Sequence, residues 1–207
     1  MTPGSKLREH LVCSTALIVQ STPVFAALET VVAKMPQDVS LNSRLIAAGM
    51  FYAGLGYAFN AGREVYRKFA GVKQTDSETK QVIHDSIYGS AFSLAISPPI
   101  YVIAGSRSLS EIGIASLCAA GIGIANGPFA GYFVDTYKDL CQITPCERQS
   151  YPTVVRNARP VLKKTLAALI TAGSIALTAG IYQLQNNSTY EEKIIEPQSE
   201  IFINDSF

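Results

Sequence analysis

Apolar residues are gathered along this chain into five long stretches, and the segments between and after them carry nearly all of the charged residues. The stretches cover residues 11–34, 45–62, 84–105, 111–134 and 165–184. Each is close to the roughly 17 to 25 predominantly apolar residues that a helix needs to cross a bilayer. The pattern predicts an all-α integral membrane protein, a bundle of about five transmembrane helices.

The first stretch follows a basic start, which is also typical of a cleaved signal peptide. It is longer than an ordinary signal core and contains Gln20, Pro23 and Glu29. No small-residue cleavage site leads from it into a soluble domain. We therefore expect a membrane helix here.

The basic residues give an independent indication of topology. Thirteen of the 17 Lys and Arg residues precede the first stretch or follow the second and fourth, and the other four lie in the remaining loops and the tail. Because cytoplasmic loops retain positive charge, we expect a cytoplasmic N-terminus and an extracytoplasmic C-terminus. The predicted parts are a four-helix membrane domain at 1–141, a cytoplasmic basic linker at 142–160, a fifth transmembrane helix at 161–185 and an acidic extracytoplasmic tail at 186–207.

Composition and the absence of known motifs argue against several classes of function. The net charge of +1 gives no electrostatic basis for binding nucleic acid. The four cysteines lack the partners and spacing of a zinc site, and we expect neither a metal nor a cofactor. No phosphate-binding loop and no His-Glu-x-x-His or Gly-x-Ser-x-Gly motif is present, so we do not expect an enzyme.

Small residues recur every four positions in the fourth stretch, most clearly at Gly123, Gly127 and Gly131. This spacing places them on one face of a helix, where another backbone can approach closely. The pattern predicts a packing face, either within one chain or between copies. Pro128 in the same stretch is expected to kink the helix, as a hinge or as a static bend.

Hydroxyl groups form a second stripe in the third stretch, at Ser90, Ser93 and Ser97. They could line a polar path or hydrogen-bond to their own backbone and to neighbouring helices. Pro98 and Pro99 remove two backbone donors within this apolar stretch, so we expect them to break the helix.

Charged residues within or at the edges of membrane spans are costly unless paired or hydrated, which makes them functional candidates. Glu29 lies near the outer end of the first helix, where it could exchange protons or contact substrate, pair with Arg44 or Lys34, or lie at an exposed rim. Asp85 and Asp135 belong near the inner face, where Asp135 could pair with Arg63 or Arg67, either to fix the bundle or to act as an inner gate. The predicted substrate and proton path comprises Glu29, Arg44, Asn60, Arg63, Asp85, Ser90, Ser93, Ser97 and Asp135.

Several short motifs resemble those of the small bacterial L-alanine exporters of the AlaE type, over about residues 6–141. The most specific is Gly127-Pro128-Phe129-Ala130-Gly131-Tyr132-Phe133-Val134-Asp135. The other markers are Lys6-Leu7-Arg8, Glu29, Met35, Ser43-Arg44-Leu45, Arg63-Glu64 and Ser97-Pro98-Pro99-Ile100-Tyr101. The resemblance implies a four-helix inner-membrane exporter of alanine driven by the proton gradient.

The chain departs from that pattern in an extra proline between Ser97 and Tyr101, and in its fifth helix and acidic tail. The leading hypothesis is a secondary exporter of L-alanine or a similar small neutral amino acid. The alternative is a non-transporting membrane scaffold that assembles through its glycine-rich faces. Four or five helices are few for enclosing a substrate path. A homodimer is therefore one arrangement that we consider.

Overall fold

The computed structural model describes residues 3–32, 36–103 and 109–195, and these residues form helices without strands. Residues 1–2, 33–35, 104–108 and 196–207 lie outside the described part, including Lys34, Met35, Arg107 and most of the predicted tail. The helices are α1 (Pro3–Ala27), α2 (Gln37–Met50), α3 (Gly56–Phe69), α4 (Glu78–Ile103), α5 (Leu109–Leu140), α6 (Thr153–Arg156) and α7 (Pro160–Ile195).

Three helical stretches are long and apolar enough to cross a membrane: Gly4–Val31, Ile112–Leu140 and Pro160–Asn186. Large apolar side chains on their outer surfaces are exposed, for example Leu117 at 66% and Ile175 at 67%. Such exposure over long helices suits a lipid environment and would be unfavourable in water. These features indicate a membrane protein.

The helices run in alternating directions. Near one end of α1, Glu9 contacts Asn60 of α3 and Lys138 of α5. Midway along the bundle, Ser174 of α7 donates a hydrogen bond to the Val19 carbonyl of α1 at 2.7 Å. A buried apolar core lies toward the Glu9 end, formed by Cys13, Ala16, Leu17, Phe59, Ala130, Val134, Tyr137, Leu140 and Ala167.

The second apolar stretch, predicted as one helix over 45–62, is interrupted. A π-helical turn at Phe51–Leu55 separates α2 from α3, and Gly54 within it has a φ of 142°. Glycine is needed there because residues with a Cβ rarely adopt positive φ. The Phe51 carbonyl accepts a hydrogen bond from Ser14 at 3.0 Å, so the interruption leaves this group satisfied within the bundle.

The prediction that Pro98 and Pro99 break the third helix is wrong, because α4 continues from Glu78 to Ile103. Each proline ring is compatible with helical φ and removes only one hydrogen bond, while the turns on either side retain theirs. Pro128 likewise lies inside a continuous α5. The last helix is longer than expected, since α7 extends to Ile195, past residue 185 where the tail was placed.

Candidate functional site: a buried arginine–aspartate cluster

Three helix ends meet at a group of charged side chains, which we call the Arg–Asp cluster. Arg63 and Arg67 lie one turn apart near the end of α3, Asp85 lies in the second turn of α4, and Asp135 lies near the end of α5. Arg148 comes from the connection between α5 and α6. All five side chains are buried, the most exposed residue being Arg67 at 5%.

The Arg63 guanidinium lies between the two aspartates and forms a bidentate ion pair with each. It donates from Nε and Nη2 to the two oxygens of Asp85 at 2.8 and 2.9 Å. It donates from Nη1 and Nη2 to the two oxygens of Asp135, also at 2.8 and 2.9 Å. The planar fork of arginine is suited to this arrangement, which a lysine ammonium could not reproduce.

Arg148 bridges the same two aspartates from outside the helices. Its Nε donates to Asp135 Oδ2 at 2.8 Å, and its Nη2 donates to Asp85 Oδ2. A weaker contact joins Nη1 to Glu78 at 3.5 Å. Burial alone would lower the pKa of Arg148, but the carboxylates of Asp135 and Asp85 outweigh it, so the pKa lies above its usual value.

Arg67 is the least satisfied of the three arginines. Its Nη2 reaches Asp135 Oδ2 and Gln81 Oε1, both at 3.2 Å, and its Nη1 lies 3.4 Å from Glu64. Its buried Nε has no hydrogen-bond partner among the described residues. Arg67 therefore retains a donor that could bind a further acceptor.

An aromatic and polar layer surrounds the cluster. His84 Nδ1 lies 2.9 Å from Asp85 Oδ1, and the His84 ring stacks on Tyr66 with centroids 4.8 Å apart. The Tyr132 ring lies 5.5 Å from the Arg148 guanidinium carbon. The charged groups are therefore surrounded by one another and by aromatic rings, and no more than 5% of any of the five residues is exposed.

The glycine face brings α5 against α4 beside the cluster. A Cβ on Gly123 would lie 2.5 Å from the Gly89 carbonyl oxygen, and a Cβ on Gly127 would overlap the Asp85 carbonyl oxygen. A Cβ on Gly131 would overlap the Asp85 carboxylate and lie 2.9 Å from Arg63 Nη2. These glycines therefore allow α5 to pack closely against α4 of the same chain.

A second charged site lies at the opposite end of α1. Glu29, in the π-helical turn Leu28–Val32, forms an ion pair with Arg44 of α2, and Ser40 donates to Glu29 at 2.6 Å. The Ser40 hydroxyl also lies 3.0 Å from the Tyr182 hydroxyl of α7. Pairing with Arg44 was one of the alternatives for Glu29, and Tyr182 adds a residue that the sequence did not indicate.

The other predicted residues lie apart from the Arg–Asp cluster. Asn60 donates to Glu9 at 3.1 Å and belongs to the neighbouring Glu9–Lys138 contact. Ser93 faces α5 beside Gly123, Ser97 is buried at 9% exposure, and Ser90 is half-buried. The structure thus brings together Arg63, Asp85 and Asp135, but not the serine stripe.

Sequence reasoning missed Arg148 as a member of the cluster. It was counted only as one of many basic residues in a linker. A signal was present, because the segment from Gln142 to Tyr151 carries one cysteine and one aromatic residue within a polar sequence. Cys146, Arg148 and Tyr151 are the residues of that segment that the structure buries.

Comparison with known proteins adds no assignment: no family model matches the chain, and no significant match was found among curated proteins or solved structures. Three guanidiniums and two aspartates that join helix ends can cross-link the bundle, and they can also exchange partners with a charged ligand.

Proposed function

We propose that the protein is a secondary transporter that exports L-alanine or a similar small neutral amino acid, driven by the proton gradient. The observation that carries the proposal is the Arg–Asp cluster, buried where α3, α4 and α5 meet. A zwitterion has an ammonium and a carboxylate, and it needs opposed charged partners to cross a low-dielectric region. The cluster supplies both signs within a few ångströms.

Two charged sites at opposite ends of the bundle support an alternating mechanism. The Arg–Asp cluster joins α3, α4 and α5 at one end, whereas Glu29 and Arg44 join α1 and α2 at the other. Ion pairs between helices can open at one end while those at the other end remain closed. Each would then act as a gate, and the discontinuous α2–α3 segment lies between them.

The helix directions support five membrane spans. Ser40 of α2 lies near Glu29, whereas Asn60 of α3 lies near Glu9, so the α2–α3 segment runs along the length of α1. Helix α4 lies along α5, with Gly89 beside Gly123 and Asp85 beside Gly127. If α5 spans the bilayer, its neighbour α4 spans with it. The distribution of basic residues supports a cytoplasmic position for the Arg–Asp cluster.

This topology predicts that the two termini lie on opposite sides of the membrane. An alkaline phosphatase fused after Phe207 should be active, and a green fluorescent protein at the same position should be dark. Fusions that end after Gln74, in the predicted cytoplasmic loop, provide the reverse control. A fluorescent, phosphatase-negative fusion at Phe207 would remove one of the five spans.

The proposed activity is tested by alanine efflux from cells that express the protein. Cells preloaded with labelled L-alanine should export it faster than cells with an empty vector, and a proton uncoupler should remove the difference. Efflux that is equal in both strains would reject the proposal. Efflux that continues in the presence of the uncoupler would support transport but reject proton coupling.

Glu29→Gln is expected to abolish the dependence of efflux on the pH gradient while the protein still folds. Glutamine keeps the shape and can still accept a hydrogen bond from Ser40, but it cannot take up a proton. Glu29→Asp, which can still titrate, should retain part of the activity. Asp38→Asn is a matched control, because Asp38 is exposed in the first turn of α2. If Glu29→Gln keeps the wild-type pH dependence, Glu29 is structural and coupling passes to Asp85 or Asp135.

The glycine contacts give the scaffold alternative little support. Its basis was that the glycine face could join copies of the chain, yet Gly123 and Gly127 pack against Gly89 and Asp85 of the same chain. An intact alanine efflux in a strain that lacks the protein, together with loss of a partner complex, would favour the scaffold.

A further inference from the structure

The connection between α5 and α7 closes over the cluster end of the bundle. It begins at Gln142, whose φ of 57° turns the chain sharply after α5, and it places Arg148 in the centre of the cluster. Its neighbours Glu147 and Gln149 are exposed, whereas Arg148 itself is 1% exposed. One side chain of an otherwise polar surface segment is thus inserted between two buried aspartates.

Exposed hydrogen bonds hold much of this connection in place. Gln149 donates to the Thr75 carbonyl at 3.0 Å, and the Ser150 hydroxyl donates to Glu78 at 2.8 Å. Bonds of this kind exchange with water at little net cost. The buried contacts of Arg148, and of Tyr151 with Asp139 at 2.8 Å, are therefore the ones that keep the connection closed.

Charge favours a cation at the position of the Arg148 guanidinium. The cluster and its nearest ion pairs contain three arginines and four carboxylates, the latter being Asp85, Asp135, Glu64 and Glu78. Glu64 and Glu78 are each about one-third exposed, so Asp85 and Asp135 are the buried carboxylates. If Arg148 leaves, Arg63 and Arg67 still pair with them, but Oδ2 of Asp85 and Oδ2 of Asp135 lose the donor that they share. Buried acceptors that lose a donor are unfavourable, so another cationic donor is favoured at this position.

We propose that Asp85 and Asp135 form a binding site for a primary ammonium group, and that Arg148 occupies this site as an internal substitute while the connection is closed. The buried Nε of Arg67 has no partner among the described residues, lies on the guanidinium that contacts Asp135, and can donate a hydrogen bond to the carboxylate of a ligand. Together they match the two ends of a free α-amino acid. The identification of the ligand as alanine rests on the proposed function. The proposal of an ammonium site does not depend on it.

Binding and opening are coupled in this arrangement. An ammonium group that takes the place of Arg148 releases the connection, and departure of the ammonium allows Arg148 to return. The two Oδ2 atoms of Asp85 and Asp135 thereby keep a cationic donor in either state. Because Arg148 competes with the ligand, it also limits the apparent affinity for the ligand.

Cys146 offers a native probe of this opening. It lies two residues from Arg148, is 1% exposed, and its burial raises the pKa of its thiol to about 11, so it should react slowly with N-ethylmaleimide while the connection is closed. Labelling of the purified wild-type protein can be measured at pH 7 by peptide mass spectrometry. Cys13, buried at 0% within the helix core, serves as the internal reference.

We expect L-alanine and ethylamine to increase the rate of Cys146 labelling in a saturable manner, and sodium propionate or tetramethylammonium chloride at equal ionic strength to leave it unchanged. Arg148→Gln should increase the rate about tenfold or more without ligand. Arg159→Gln, which removes an exposed charge from the same connection, should not. Labelling of Cys13 must stay slow throughout, which shows that the bundle remains folded.

Labelling of wild-type Cys146 that is insensitive to both ethylamine and alanine would overturn the inference, even if the cells export alanine. Equal effects of Arg148→Gln and Arg159→Gln would overturn it as well. Conversely, a response to ethylamine in a protein that exports no alanine would keep the ammonium site and reject the proposed substrate. The ammonium site and the export of alanine can therefore be rejected independently of each other.

Discussion

Replacing Arg63 with Gln is expected to lower the Tm of the purified protein by about 10 °C and to abolish alanine efflux. Arg63 is completely buried and donates to all four carboxylate oxygens of Asp85 and Asp135. Its loss leaves two buried carboxylates with only Arg148 and Arg67 to compensate them. Removing one partner from a buried ion pair typically costs about 3–5 kcal/mol.

The double variant Arg63→Gln/Asp135→Asn separates the charge from the shape of this site. It removes one carboxylate together with the guanidinium, so it should be more stable than Arg63→Gln alone. The effects of the two substitutions on stability should therefore be non-additive. Lys68→Gln is the matched control, since Lys68 is exposed on the same helix and should change the Tm little. A Tm of Arg63→Gln within about 2 °C of wild type would show that the cluster is hydrated and contributes little.

Local spacing along the chain predicted the parts of this structure that depend on single helices. Apolar stretches of bilayer length predicted helices, because a helix satisfies its own backbone and only its outer surface must be apolar. The four-residue spacing of Gly123, Gly127 and Gly131 predicted a close approach, because a helix places such residues on one face. A pairing of Asp135 with Arg63 or Arg67 was also predicted, since these residues fall at the edges of apolar stretches on the same side.

Other features could not be predicted from the sequence. They depend on contacts between distant segments, or on local conformations that are similar in energy. Arg148 lies in a polar segment, and its partners are 63 and 13 residues away in the sequence. Pro98 and Pro99 are compatible both with a broken helix and with a continuous one, and packing decides between them. The interruption at Gly54 was not predicted, because glycine in an apolar stretch serves equally well as a packing residue.

Gly127→Ala is expected to destabilise the protein by about 2 kcal/mol, and Gly127→Leu is expected to prevent α4 and α5 from packing, while both variants still insert into the membrane. The new Cβ overlaps the Asp85 carbonyl oxygen and lies 2.9 Å from the Asp85 carbonyl carbon and 3.2 Å from Ser86 Cα. These are backbone atoms, so no side chain can rotate away. The two helices must separate, and the separation also displaces the Asp85 carboxylate from Arg63.

Gly121→Ala is the control, because a Cβ on Gly121 of the same helix meets nothing within 4 Å. It should leave the Tm and efflux unchanged, or raise the Tm slightly, because alanine loses less conformational freedom than glycine in a helix. Thermal unfolding in detergent and efflux in cells measure both variants side by side. Equal Tm values for Gly127→Ala and Gly121→Ala would mean that α4 does not approach α5 at Asp85, and the Arg–Asp cluster could not then form as described.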